Sequence, residues 1–238
     1  MNTHIKKESA FLFIILSSIF IASLVSCNLI FQKFFQIDIW LPFVGKYTFE
    51  QSVGLLPYPI TFLVTDIISE IYGAKKANQV VASGLIASLF MLLIVTIADL
   101  IPMAPWSPVD SGTFSSVFGL SGAAVFASMM AYLFAQFIDI RVFHFWKRLT
   151  KGKHLWLRNN ASTIFSQFVD TFSVLFLLFY LDAINAPEGK TTVQFFTQLL
   201  LNGFLFKVFF AAFDTPIFYL CSYYLKKRFE LGINDELV

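Results

Sequence analysis

Ionisable side chains lie inside stretches that are otherwise apolar enough to cross a membrane. They are Asp66, Glu70, Asp170, Lys207 and Asp214. A charge in the hydrocarbon core costs about 2.5–3.5 kcal/mol even on insertion scales, so these residues are candidates for binding a polar solute or an ion. Carboxylates accept hydrogen bonds and an ammonium group donates them, which is the chemistry needed to hold a polar molecule away from water.

The clearest polar pattern lies in the segment around Asp170, RNNASTIFSQFVDTF (158–172). Its polar residues recur at helical spacing and share one face, while the opposite face is apolar. Ser and Thr alone would be satisfied by hydrogen bonds between helices. An Asp close to Gln167 near the middle of a span instead favours a substrate cavity, to which Thr163 also points.

Two carboxylates share a face of an earlier helix, because Asp66 and Glu70 lie four residues apart. Glu70 is close to the predicted inner boundary of the membrane. At that depth, an ion pair with Lys75 or Lys76 alone could explain why a carboxylate lies there.

Lys207 lies near the middle of its apolar segment, too deep to reach the interface easily. We therefore predict that it pairs with a carboxylate from another helix, either Asp170 or Asp66. The pair could simply order the bundle, or Lys207 could line the cavity as a cation.

A further stripe includes Tyr132 and Gln136, both of which could reach a ligand. Asp139 continues this stripe. Because it lies beside Arg141 near the predicted boundary, it is interpreted as a solvated helix end.

The elements that must position these residues follow from composition. The chain has 238 residues, of which 57% are hydrophobic and 13% charged. Soluble domains carry about 25% charged residues, so the composition excludes a soluble enzyme, a disordered protein and a nucleic-acid-binding domain. It indicates a polytopic membrane protein.

The predicted fold is all-α, a membrane bundle of six transmembrane helices forming a single domain over 1–238. A crossing needs about 20 apolar residues, and the spans are predicted at about 10–31, 53–72, 79–101, 119–139, 161–182 and 195–225. The second span is predicted to be interrupted near Pro57–Pro59, and Pro216 to kink the last one.

Basic residues predict the orientation of these spans. Thirteen Lys and Arg residues fall on one side of the membrane and three, Lys33, Lys46 and Lys190, on the other. The positive-inside rule therefore places both termini in the cytoplasm. The basic, aromatic segment 141–158 is interpreted as an interfacial anchor to lipid, not as a nucleic-acid site.

Sequence motifs for catalysis or metal binding are missing. The chain has no GxxxxGK[ST] and no HExxH, and its two cysteines and three histidines lack ligand spacing. We predict no enzyme activity, no cofactor and no metal.

Four segments carry a resemblance to a known family: PYPITFLVTDIISEIYG (57–73), ASMMAYLFAQFIDIRVF (127–143), RNNASTIFSQFVDTF (158–172) and FLFKVFF (204–210). They resemble the bacterial queuosine precursor transporters, and Asn28 in SCN (26–28) also fits. The resemblance implies a six-span protein of the bacterial inner membrane. It would import 7-deazaguanines, such as the 7-cyano and 7-aminomethyl forms or queuine, for queuosine synthesis in tRNA.

A deazaguanine presents N–H donors at N1 and its amino group and an acceptor at O6, so carboxylates suit its donor edge. The candidate binding residues are Asp66, Asp170, Gln167, Lys207, Glu70, Tyr132, Gln136, Asn28 and Thr163. Asp66 and Asp170 are assigned to the base edge, with Gln167 and Lys207 as their partners.

Two alternatives stay open. One is the substrate-binding subunit of an energy-coupling vitamin importer, for which Ala22 with Ser26 is a weak match to the expected pair of small residues. The other is a membrane scaffold that transports nothing. The sequence leaves open the preferred deazaguanine, the driving force and the oligomeric state, a homodimer being one option.

Overall fold

The structure is a computed structural model that describes residues 3–41, 45–118, 122–151, 153–181, 185–232 and 235–237. It is mostly helical. The elements in chain order are α1 (Thr3–Ile30), β1 (Phe34–Leu41), β2 (Gly45–Ser52), a 3-10 helix (Val53–Leu55), α2 (Tyr58–Leu100), α3 (Ser111–Phe118), α4 (Gly122–Leu149), α5 (Leu155–Tyr180) and α6 (Thr192–Arg228).

Four helical segments of the described chain are long and apolar enough to cross a membrane: His4–Ile30, Val53–Leu100, Leu155–Tyr180 and Thr192–Arg228. This confirms a helical protein of the membrane-spanning type, although not the predicted number of six spans. The predicted boundaries at 119–121 and 182 lie outside the described residues.

Helix α2 is 43 residues long, more than one bilayer requires. It is broken at Gly73, where φ is 80° and ψ is 170°. A side chain would be strained at this φ, and a Cβ would lie 2.2 Å from the Glu236 carboxylate. The break divides α2 into two arms, 58–72 and 74–100, which correspond to the predicted second and third spans.

The first arm of α2 is the centre of the molecule. Residues of this arm contact α1, α4 and α6, and Phe62, Ile67, Ile68 and Ile71 on it are buried. The second arm exposes large apolar side chains along most of its length, as expected for a surface that faces lipid rather than water.

A β-hairpin corrects the all-α prediction. Strands β1 and β2 pair antiparallel, from Phe34 opposite Ser52 to Leu41 opposite Gly45. The hairpin contacts the start of α6, where the Asn202 amide donates to the Glu50 carbonyl oxygen at 3.3 Å. The alternation of apolar and polar residues in β1 (FFQIDIWL) is a strand signal that a search for apolar spans overlooks.

The two prolines of the second span lie where a helix begins. Helix α2 begins at Tyr58, with Pro57 at its N-cap and Pro59 in its first turn, positions that proline tolerates. The predicted interruption there is therefore not confirmed. Pro216 lies inside α6, and α4 extends ten residues beyond the predicted span to Leu149.

Candidate functional site

A buried ion pair joins α5 and α6. The Lys207 Nζ lies 2.5 Å from the Asp170 Oδ2, and both residues are almost completely buried. The prediction that Lys207 pairs with a membrane carboxylate is thereby confirmed, and the partner is Asp170. The Tyr58 hydroxyl donates to the same carboxylate oxygen, and the Lys207 Nζ lies 4.2 Å from the centroid of the Tyr58 ring.

Aromatic rings form a wall next to this pair. The Tyr58 ring centroid lies 5.4 Å from that of Phe62 and 5.3 Å from that of Tyr132. The Gln136 amide donates to the Tyr132 hydroxyl at 2.7 Å, and the Thr65 hydroxyl contacts the Gln136 oxygen at 3.3 Å. These bonds orient the Tyr132 ring, and flat apolar faces beside polar groups suit a heteroaromatic ring.

Sequence reasoning missed Tyr58. The signal was available, because an aromatic residue between two prolines at the start of a buried helix is held in a fixed position. The prolines were instead interpreted as a break in the helix.

Unpartnered acceptors lie on one face of α5. Within the described part of the chain, the Asp170 Oδ1 and the Gln167 Oε1 are buried and have no hydrogen-bond partner. The Thr163 hydroxyl, on the same face of α5, lies within hydrogen-bonding reach of Asp66 instead. A buried polar atom without a partner costs about 1–3 kcal/mol, so native structures keep few of them. Donors on a ligand would satisfy these atoms.

Asn28 lies beside the aromatic wall, at Tyr132. Its amide contacts the Ser88 hydroxyl at 3.2 Å, across α1 and the second arm of α2. Asn28 and Tyr132 line a small pocket of about 10 Å³. This side of the wall is closely packed.

Asp66 lies in a different place from the Lys207 pair. Its carboxyl is within hydrogen-bonding reach of Asp139 on α4, and the Ser166 hydroxyl donates to the Asp139 Oδ1 at 2.8 Å. Asp139 is completely buried, so its interpretation as a solvated helix end was wrong. Its spacing from Tyr132 and Gln136 places it on their face of the helix, which was the available signal.

Glu70 belongs to a third group of charges. Its carboxylate lies 2.5 Å from the Lys226 Nζ and 3.7 Å from the Lys147 Nζ. Lys147 also pairs with Glu236 at 2.8 Å. An open cavity of about 780 Å³ reaches this group from the ends of α5 and α6. Lys76, proposed as a partner for Glu70, lies over the Phe13 ring instead.

The structure therefore sorts the candidate residues into three groups. Asp170, Lys207, Tyr132 and Gln136 lie near one another around the aromatic wall, with Gln167 on the Asp170 face of α5 and Asn28 beside Tyr132. Thr163, also on this face of α5, lies at Asp66. Asp66 lies beside Asp139, and Glu70 lies among lysines. Of these groups, the acid and cation beside aromatic rings have the chemistry to hold a polar, planar solute.

Comparison with known proteins identifies the class. Residues 52–221 match the model of a family described as "Putative vitamin uptake transporter". The match covers most of the chain and includes both arms of α2, α4, α5 and the greater part of α6. The chain belongs to this family.

Relatives of known name match much of the chain. The queuosine precursor transporter of Escherichia coli is 28% identical over 181 residues, which is 76% of this chain and 76% of the relative. A "Probable queuosine precursor transporter" of Haemophilus influenzae is 27% identical, over 86% and 82% of the two chains. A protein of the same description from Bacillus subtilis is 31% identical, over 58% and 61%. The family resemblance predicted from sequence is confirmed.

No solved structure of another protein gives a significant match to the chain.

Proposed function

We propose that this protein is an uptake transporter for queuosine precursors, and that it binds the 7-deazaguanine base at the Asp170–Lys207 pair. The observation that carries the proposal is the set of buried, unpartnered acceptors beside this pair. It occurs in a chain whose relatives are described as queuosine precursor transporters.

The chemistry of the base fits the atoms available. The Asp170 Oδ1 and the Gln167 Oε1 accept from the N1–H and the amino group, and the Lys207 ammonium donates to O6. The ring lies against Tyr58 and Tyr132. Charge-assisted hydrogen bonds of this kind are the strong ones, so they supply both affinity and selection for a guanine-like edge.

The proposed topology has six spans with both termini in the cytoplasm of a bacterial inner membrane. The basic, cytoplasmic side contains Glu70 with Lys147 and Lys226. The opposite side contains the β-hairpin and α3. Reporter fusions after residues 75, 150 and 230 should report the cytoplasm, and fusions near 40, 108 and 188 the outside. A single inverted fusion would contradict the six-span assignment.

The test of function uses cells that cannot synthesise queuosine precursors and lack the endogenous transporter. Expression of this chain should restore queuosine in tRNA when 7-cyano- or 7-aminomethyl-7-deazaguanine is supplied at limiting concentration. The Asp170→Asn variant should reduce uptake at least tenfold, because an unpaired N–H on the buried ligand costs about 1–3 kcal/mol.

Asp38→Asn is the matched control, since Asp38 pairs with Lys46 on the exposed hairpin. Normal uptake by a well-expressed Asp170→Asn variant would remove Asp170 from the site. Failure of the unmodified chain to restore queuosine would contradict the function itself and favour a scaffold. Co-purification with ATPase subunits would favour the energy-coupling importer.

A further inference from the structure

Two buried carboxyls face each other, and no cation among the described residues contacts them. Asp66 on α2 is 3% exposed and Asp139 on α4 is 0% exposed. Their carboxyls lie within hydrogen-bonding reach of each other. The Ser166 hydroxyl, from α5, donates to one oxygen of Asp139 at 2.8 Å.

The other charged groups around this pair are negative or already paired. Asp214 on α6 is the next ionisable group that acts on Asp66. Glu70, one turn along α2, pairs with Lys147 and Lys226. Asp170, one turn along α5 from Ser166, pairs with Lys207.

Within the described residues, no lysine or arginine contacts Asp66 or Asp139. Two carboxylates this close together in a water-poor interior cannot both be ionised, so one of them holds a proton. The pair as a whole, and not either residue alone, then gains and loses that proton.

Several buried polar atoms at and around the pair can accept further hydrogen bonds. The Asp66 Oδ1 and the Asp139 Oδ2 are buried without a hydrogen-bond partner in the described chain, and the same holds for the Asn159 Oδ1. The Thr163 hydroxyl lies within hydrogen-bonding reach of Asp66, and the Ser162 hydroxyl within reach of Asp139. These residues are each at least nine-tenths buried. A proton shared by the two carboxyls would provide a hydrogen-bond donor for these acceptors.

We propose that Asp66 and Asp139 form a proton-binding site that drives substrate uptake, so that the protein works as a proton-coupled symporter. This inference rests on the proposed transport function and names its driving force. One proton binds to the pair from the outer side and leaves on the cytoplasmic side with each base transported.

Helix α5 provides the connection between the proton and the substrate. Ser166 contacts Asp139, while its neighbour Gln167 and Asp170 belong to the proposed base site. A shift of α5 when the base binds would therefore change the hydrogen bond that Asp139 accepts from Ser166. The two sites share one helix and can bias each other's occupancy.

The test uses purified full-length protein in liposomes and radiolabelled 7-cyano-7-deazaguanine. With an inside-alkaline pH gradient, the wild-type protein should accumulate the base above its external concentration. Asp66→Asn and Asp139→Asn should each reduce this accumulation at least tenfold. Both variants should retain exchange of internal for external base, because exchange moves no net proton.

Asp170→Asn should lose accumulation and exchange together, since it affects the base site. Asp38→Asn, on the exposed hairpin, should behave as wild type. Wild-type accumulation that ignores the pH gradient, or that follows a sodium gradient instead, would overturn the proton site while leaving the transport function intact. Loss of exchange in the wild-type protein would contradict the transport function as well.

A second measurement uses only the wild-type protein, so it does not depend on whether a variant folds. A hydrophobic carbodiimide reacts with protonated carboxyls in apolar surroundings, and mass spectrometry locates the label in wild-type protein. We expect the label on Asp66 or Asp139, decreasing as the pH rises, with Asp170 unlabelled beside Lys207. Labelling of Asp170 alone, or of none of the three, would overturn the proposal.

Discussion

Two buried acid sites in this protein solve the problem of a charge in a membrane in opposite ways. At the first, Lys207 lies 2.5 Å from Asp170 and neutralises its charge with a fixed cation. At the second, Asp66 faces Asp139, no cation among the described residues contacts either acid, and the proposal assigns a mobile proton to the pair. Both sites involve α5, yet one is an ion pair and the other a pair of acids.

In the proposed mechanism, this difference separates recognition of the base from energy coupling. The Lys207 ammonium compensates the Asp170 charge without an exchangeable ion, so the pair offers the proposed base site a fixed set of donors and acceptors. A carboxyl pair changes its charge whenever a proton arrives or departs. The first arrangement is suited to specificity and the second to a switch.

The largest effect is expected from Lys207→Ala. Removal of one partner from a buried ion pair leaves an uncompensated charge and costs about 3–5 kcal/mol. The variant should unfold at lower temperature in detergent and should not transport. The double variant Lys207→Ala/Asp170→Asn should recover thermal stability but not uptake.

Recovery of uptake in the double variant would show that the pair only orders the bundle. Full uptake by Lys207→Ala alone would break the comparison altogether, because the ion pair would then have no role.

An effect on stability of the opposite sign is expected at the second site. Asp139→Asn replaces a carboxyl that shares one proton with Asp66 by a neutral amide of the same shape, so the variant should be at least as stable as the wild-type protein in thermal unfolding. The amide can still accept from Ser166. A loss of stability as large as that of Lys207→Ala would show that Asp139 has a cationic partner, and the proton site would be wrong.

A smaller effect is expected from Tyr58→Phe. The change keeps the ring above the Lys207 ammonium and removes only the hydroxyl that donates to Asp170. A hydrogen bond to a charged group contributes about 1.5–3 kcal/mol, so uptake at limiting base should fall roughly tenfold or more. Tyr219→Phe, on a tyrosine at the far end of α6, is the matched control. Equal uptake by both variants would remove Tyr58 from the site.

Much of the helical framework could be predicted because apolar length and polar spacing are local properties. The face that carries Gln167 and Asp170 follows from helical periodicity, and Lys207 had to pair with an acid because an isolated ammonium is costly at that depth. The choice of Asp170 over Asp66 depends on how α5 and α6 approach each other. No local pattern contains that information.

The errors have physical causes as well. The hairpin was missed because its alternation of side chains does not add up to an apolar span. Asp139 was misjudged because its distance from Arg141 along the chain suggested a boundary, whereas packing of α4 against α2 and α5 buries it. Tyr58 was overlooked because prolines mark the start of a helix as readily as they mark a break.

The smallest effect is expected at the exposed counterpart of the Lys207 pair. The Lys46 Nζ lies 2.9 Å from Asp38 on the hairpin, with both side chains open to water. Hydrogen bonds from Lys46 and then from Thr48 hold the pKa of Asp38 below its ordinary value. The resulting stabilisation is present above that ordinary value and is lost as the pH falls through the lowered pKa.

Because solvent screens an exposed pair, Lys46→Ala should leave the melting temperature and uptake at pH 7 unchanged. The one measurable effect expected of Lys46→Ala is slightly faster amide hydrogen exchange in β1 and β2 at neutral pH. This difference should vanish once acid has protonated Asp38. The same ionic contact would then matter at Lys207 and not at Lys46, which assigns the effect to burial. A loss of uptake in Lys46→Ala comparable to that of Lys207→Ala would show that burial is not what separates the two pairs.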